Sequence, residues 1–125
     1  MMKSSEHQYA EVALKSIIHI KESGSERNAE DYARVCHIFP SMVLLNGSRL
    51  TIAFFHSKGR SKDGQLSMHG QYLKDLGKAV GIEGLEHETF KNSTAYRQLT
   101  IRLLKAANWF KRYSEGMLKV NSSGE

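Results

Sequence analysis

Residues 96–120 read YRQLTIRLLKAANWFKRYSEGMLKV, and this stretch decides the fold. Tyr96, Leu99, Leu103, Ala106, Phe110, Tyr113, Met117 and Val120 recur at alternating steps of three and four. At about 100° per residue they stay on one side of a helix. The helix is expected to begin near Ser93 or Thr94 and to reach about Val120, which makes it the longest element. Its cations fall elsewhere. Arg97, Lys105, Arg112 and Lys119 group within about 80° of one another, almost opposite the apolar stripe. Lys105, Arg112 and Lys119 are each two turns apart, and the row spans roughly 20 Å, the reach of several phosphates along a strand.

A solvated cationic face would give the same geometry. What argues against it is the missing compensation, since solvated helices usually mix signs. From Lys91 to Val120 seven cations meet only Glu115, a local charge of +6, while the rest of a chain of net charge +5 carries −1. So local an asymmetry describes a surface, and it points to polyanions. Trp109 sits at the edge of the apolar stripe and reads as a packing or interface residue rather than a base-stacking platform. Ile101 and Leu104 point away from the stripe, which suits a helix packed on two sides or an exposed contact.

Working outward, helical spacing recurs and strand alternation does not. A first helix is expected over about Ser5 to Ser23, with Tyr9, Val12, Ala13, Ile17 and Ile20 inward. A second starts near Asn28 as its N-cap, with Tyr32, Val35, Cys36 and Phe39 as its stripe. Pro40 ends or kinks it, and Asn46-Gly47 closes the segment. A third, over about Ser48 to Ser57, is apolar nearly all round and suits the centre of the bundle. Lys58 to Gly64 forms an exposed, mobile, basic loop. A fourth helix spans about Leu66 to Val80, with Tyr72, Leu73, Leu76 and Val80 inward, before a loop holding Glu83, Glu86 and Glu88. The expected fold is all-α: a single compact bundle of five to six helices in one domain over 1–125, with frayed tails at 1–4 and 121–125.

Composition narrows the function. A chain of 125 residues with 40% apolar content can bury a core without disulfides, and Cys36, the lone cysteine, cannot form an internal bridge. No secretory signal or membrane span is legible, so the expected location is the cytoplasm, with no membrane partner. No metal or cofactor set stands out. His7, His19, His37, His56, His69 and His87 show no metal spacing, and Cys36-His37 would diverge on a helix. Gly59 to Gly64 lacks the Lys-Ser of a P-loop, and no serine sits in a nucleophile elbow. Glu83, Glu86 and Glu88 read as a solvated turn. His56 beside Lys58 could serve a metal-independent ribonuclease, but no spacing supports it. The expectation is a protein that is not an enzyme and has no small-molecule substrate.

Three collinear stretches carry a resemblance. Asp31-Tyr32-Ala33-Arg34 leads through Phe39-Pro40 to Asn46-Gly47; Leu50-Thr51-Ile52-Ala53-Phe54-Phe55-His56-Ser57-Lys58 follows; Tyr96-Arg97 and then Trp109-Phe110-Lys111-Arg112-Tyr113 close the set. In this order, from Asp31 to Leu118, the chain resembles the small helical subunit of the type III-B CRISPR effector, the Cmr complex. It departs from that family after Asn46-Gly47, where Ser48-Arg49 replaces the usual apolar residue. This bears on where the third helix starts and leaves Arg49 as either a surface charge or a contact. The resemblance implies a non-catalytic subunit in antiviral defence that stacks with copies of itself in a minor filament, beside backbone subunits that hold the CRISPR RNA and cleave the target RNA. Arg97, Lys105, Arg112 and Lys119 would face phosphates, with Lys58, Arg60 and Lys62 as second candidates. The rival reading is a protein-only helical adaptor that docks an acidic partner.

Overall fold

The computed structural model describes residues 5–118, so Lys119, Val120 and both expected tails lie outside the described residues. Five α-helices follow in order: α1 (Ser5–Ser23), α2 (Glu26–Asn46), α3 (Ser48–Ser57), α4 (Met68–Val80) and α5 (Ser93–Met117). A single 3-10 turn, Leu85–His87, interrupts the loop between α4 and α5. Among the described residues the only extended pairing is one antiparallel bridge between Arg60 and Leu66.

The core follows from the stripes. α5 buries Leu99, Leu103, Ala106, Ala107, Phe110 and Ser114, and it packs most extensively against α1 and then α2. α1 contributes Tyr9, Ala13, Ile17 and Ile20, and α4 contributes Tyr72, Leu73, Leu76 and Val80. At the centre stands Tyr72. Its ring lies 5.4 Å from Phe39, 5.8 Å from Phe55, 5.9 Å from Tyr32 and 5.4 Å from Phe110. One side chain thus joins α2, α3, α4 and α5, in the edge and tilted geometries that aromatic quadrupoles favour.

Four expectations change. α2 begins at Glu26, capped by Ser25, whose hydroxyl accepts the Asn28 N–H at 3.1 Å. Asn28 is therefore the donor to the cap and not the cap itself. Of the two outcomes expected of Pro40, it is ending α2 that fails, since the helix continues to Asn46. Proline removes one amide donor from a helix, and burial of Phe39 and Val43 on either side offsets that loss. α3 is not central. It buries Ser48, Thr51, Ile52 and Phe55, but leaves Leu50 64% and Phe54 38% exposed. The fourth helix starts two residues later than expected, because Ser67 caps it by accepting the Gly70 N–H at 3.2 Å.

Gly47 joins α2 to α3 by itself. Its φ of 84° and ψ of 160° lie where side chains other than glycine's are strained. Its N–H reaches Val43 O at 2.8 Å, and its carbonyl accepts from Thr51 N–H and Thr51 Oγ1. The two helices therefore meet in a tight corner. α3 begins at Ser48 despite the departure from the family pattern there. Ser48 is fully buried, and its hydroxyl pairs with Thr100 Oγ1 of α5 at 2.7 Å.

Candidate nucleic-acid interface

The outward face of α5 is built by default. Once Leu99, Leu103, Ala106 and Phe110 turn inward, residues about 180° away must face solvent. Arg97, Lys105 and Arg112 are all exposed. They lie on one face with Ile101, which is 47% exposed, and Asn108. From Arg97 to Arg112 the face runs about 22 Å at 1.5 Å per residue. Glu115, the one acid on the helix, turns toward α2, where its Oε2 lies 3.8 Å from His37 Nε2. Lys119 lies outside the described residues.

Other residues near the row have structural duties. Arg102 donates to Val80 O at the C-terminal end of α4, where helix carbonyls lack intrahelical partners. Trp109 is half-buried, donates from Nε1 to Glu6 Oε1 at 2.8 Å and stacks on Tyr113 at 5.9 Å. It ties α5 to α1, in keeping with a packing role. Leu104 is half-buried against the core, while Ile101 stays out in the cationic face.

Lys58, Arg60 and Lys62 are exposed, but their segment is folded into a closed turn. Ser61 N–H reaches Gln65 O at 2.8 Å, and Ser67 N–H reaches Gly59 O at 2.9 Å. Asp63 sits within it, and its carboxyl is held below the usual carboxylate range by the Ser61 hydroxyl and then the Gln65 N–H. The Lys58 ammonium lies 5.6 Å above the Phe54 ring, a cation–π contact. Arg60 also lines a cleft of about 610 Å³ against α4 and the 82–86 loop, together with Glu83 and Glu86. Of the three loop cations, Arg60 therefore shares its cleft with an acidic pair.

His56 is exposed, and its ring lies 6.3 Å from that of His87. Among the described residues no group of three His, Cys, Asp or Glu side chains is arranged to hold a metal ion. No helix there is long and apolar enough to cross a membrane.

Sequence reasoning missed one cluster. The Arg49 guanidinium lies 5.2 Å from the Phe90 ring centre and 5.5 Å from that of Tyr96. The two rings meet edge to face at 4.8 Å. The Tyr96 hydroxyl accepts the Arg49 N–H at 3.3 Å, and hydrogen bonding to Ser48 first and Arg49 second lowers its pKa. Arg49 is thus a contact. The sequence left Arg49, two residues after Gly47, open between a surface charge and a contact, and nothing in it pointed to Phe90 as a partner.

Fold and site together define a small all-helical protein with one cationic helix face. The sequence model of the CRISPR-associated protein (Cas_Cmr5) family matches residues 5–117, and the chain belongs to that family. It is 30% identical over 105 residues to the CRISPR system Cmr subunit Cmr5 of Thermotoga maritima, a match covering 83% of this chain and 80% of that one. The crystal structure of a CRISPR-associated Cmr5 family protein from Thermus thermophilus shares the fold. Its TM-score is 0.77 at 24% identity, over 94% of this chain and 100% of that one.

Proposed function

We propose that this chain is a non-catalytic subunit of a type III-B CRISPR (Cmr) effector complex in the cytoplasm, folded as one domain over residues 1–125. In this reading it stacks with further copies of itself beside the backbone subunits and meets the phosphates of the CRISPR RNA and target RNA. The observation that carries the reading is the exposed face of Arg97, Lys105 and Arg112, none of them in an ion pair among the described residues, on a member of the Cmr5 family. Lys119, expected on the same face, is a further candidate, but α5 ends at Met117, short of the expected Val120, with Leu118 extended. Lys58, Arg60 and Lys62 form a weaker second set, because Glu83 and Glu86 stand near Arg60. Phosphate contacts position a nucleic acid without reading its sequence. In an RNA-guided effector, base pairing between guide and target supplies the specificity.

The test is a complex reconstituted with the triple variant Arg97→Glu, Lys105→Glu, Arg112→Glu, with target-RNA affinity measured against salt. The subunit should remain in the complex. The slope of log affinity on log salt should fall by about two to three, since each lost phosphate contact removes roughly 0.7–0.9. Loss of the subunit from the complex, with an unchanged slope, would favour the adaptor reading. The apolar α2–α3 corner, where Leu44 is 75%, Leu45 82% and Leu50 64% exposed, suits a protein contact under either reading. Clusters of exposed leucine mark protein contacts.

A further inference from the structure

We propose that Arg49, Phe90 and Tyr96 form a seat for one unpaired nucleobase of RNA. The proposal rests on the RNA reading above and adds to it a site of different chemistry.

The seat is a cleft of about 430 Å³ between the α2–α3 corner and the start of α5, within the roughly 300–1,000 Å³ typical of small-ligand clefts. Phe90 and Tyr96 both approach the guanidinium, at 5.2 and 5.5 Å. Two neutral rings fix the orientation of the cation without cancelling its charge. Arg49 as a residue remains exposed, and in this reading part of its guanidinium plane faces the cleft. A guanidinium plane is a stacking partner for an unstacked base, as aromatic rings are.

Three observations favour a nucleobase over a carboxylate from a neighbouring protein. Besides the guanidinium, the cleft is walled by the Phe90 and Tyr96 rings, π surfaces that stack a base but offer a carboxylate no donor except the Tyr96 hydroxyl. Asn46 and Ser93 give its rim short neutral polar groups that suit a base edge, beside Asn92, whose Oδ1 is taken by the Ala95 N–H at 2.8 Å in capping α5. The seat also lies at the Arg97 end of the row, since Tyr96 precedes Arg97 on α5 and points about 100° round the helix from it. A strand whose phosphates follow Arg97, Lys105 and Arg112 could thus turn one base off its end into the cleft. The phosphate row accounts for affinity without preference, whereas the seat requires a base that is free of pairing.

The experiment uses the reconstituted complex with guide and target RNAs carrying 4-thiouridine, irradiated, digested and analysed by mass spectrometry. Crosslinks should appear on the segments around Arg49 and on residues 88–96. Arg49→Lys keeps the charge but loses the plane. It should lower the yield at this site at least about fivefold, in line with the worth of one base stack, and leave the salt slope unchanged. Crosslinks on other parts of this subunit but none here would overturn the seat and leave the RNA reading standing. No crosslinks anywhere on the subunit, together with an unchanged slope for the α5 triple variant, would overturn both. If Arg49→Glu ejects the subunit from the complex and the wild type gives no crosslink at the seat, the cleft holds a protein side chain instead.

Discussion

Asp75 is the residue whose placement most needs explaining. It lies on α4, half-buried in the bundle, where it accepts from Tyr32 Oη at 2.7 Å and from Gln71 Nε2 at 2.9 Å. Burial raises its pKa, and the bonds from Tyr32 and Gln71 only partly oppose this. A raised folded pKa means that the native state binds the proton more tightly than the unfolded chain. The associated stability is fully present below the unfolded carboxylate value of about 3.9 and is lost as pH rises through the folded pKa. The stability of the wild type relative to Asp75→Asn should therefore fall as pH climbs from about 4, then level off. Urea midpoints of both proteins between about pH 4 and 7 would show it, and a constant difference would refute the shift. None of this was legible beforehand. Asp75 falls within a stretch read only for its apolar stripe, and its partner Tyr32 lies 43 residues away.

At the scale of elements, the sequence was most legible where one stripe met one core. The bounds of α1 and α3 match those read from the sequence, and most of the stripe residues of α1, α2 and α4 are buried, with Val12 half-buried and Ala33, Val43, Gly77 and Ala79 added to the core. α3 shows where that logic stops. Ten residues that are apolar nearly all round read as central, yet spacing carries no information about what lies opposite. Here solvent lies opposite Leu50 and Phe54. The corner before it rests on Gly47, where an added Cβ would stand 2.7 Å from the Tyr96 hydroxyl. Gly47→Ala therefore combines a forbidden backbone angle with a clash. It should cost about 1–3 kcal/mol or more. Gly116→Ala, in the last turn of α5 with open space around it, should instead stabilise by about 0.5–1 kcal/mol. Denaturant titration of the two variants should show shifts of opposite sign.

Across the whole molecule, the segregation of charge was legible and its detailed use was not. A count of cations from Lys91 onward found the face. Only the fold revealed that Arg102 is bound to the end of α4, that Trp109 faces α1, and that residues 46–49 meet residues 90–96 to form a cleft. No window along the chain contains that meeting. If the row acts on phosphates, the free subunit should bind single-stranded RNA only weakly. Its Kd at physiological salt should be micromolar or poorer and should tighten steeply as salt falls. Fluorescence anisotropy with RNAs of unrelated sequence would check this, and equal affinities across them are expected. Tight, sequence-selective binding by the lone subunit would contradict a division of labour in which base pairing supplies the choice.

The leucine corner has a consequence for the cell that makes this protein. Leu44 and Leu45 stand side by side on the last turn of α2, almost wholly in water, with Leu50 just across Gly47. A surface of this kind is harmless while covered and adhesive while bare. A copy made in excess of the sites waiting for it would carry its stickiest patch uncovered. Balanced synthesis of the assembling chains would then be a condition of solubility as well as of economy, and overproduction of this chain alone should send it toward precipitation.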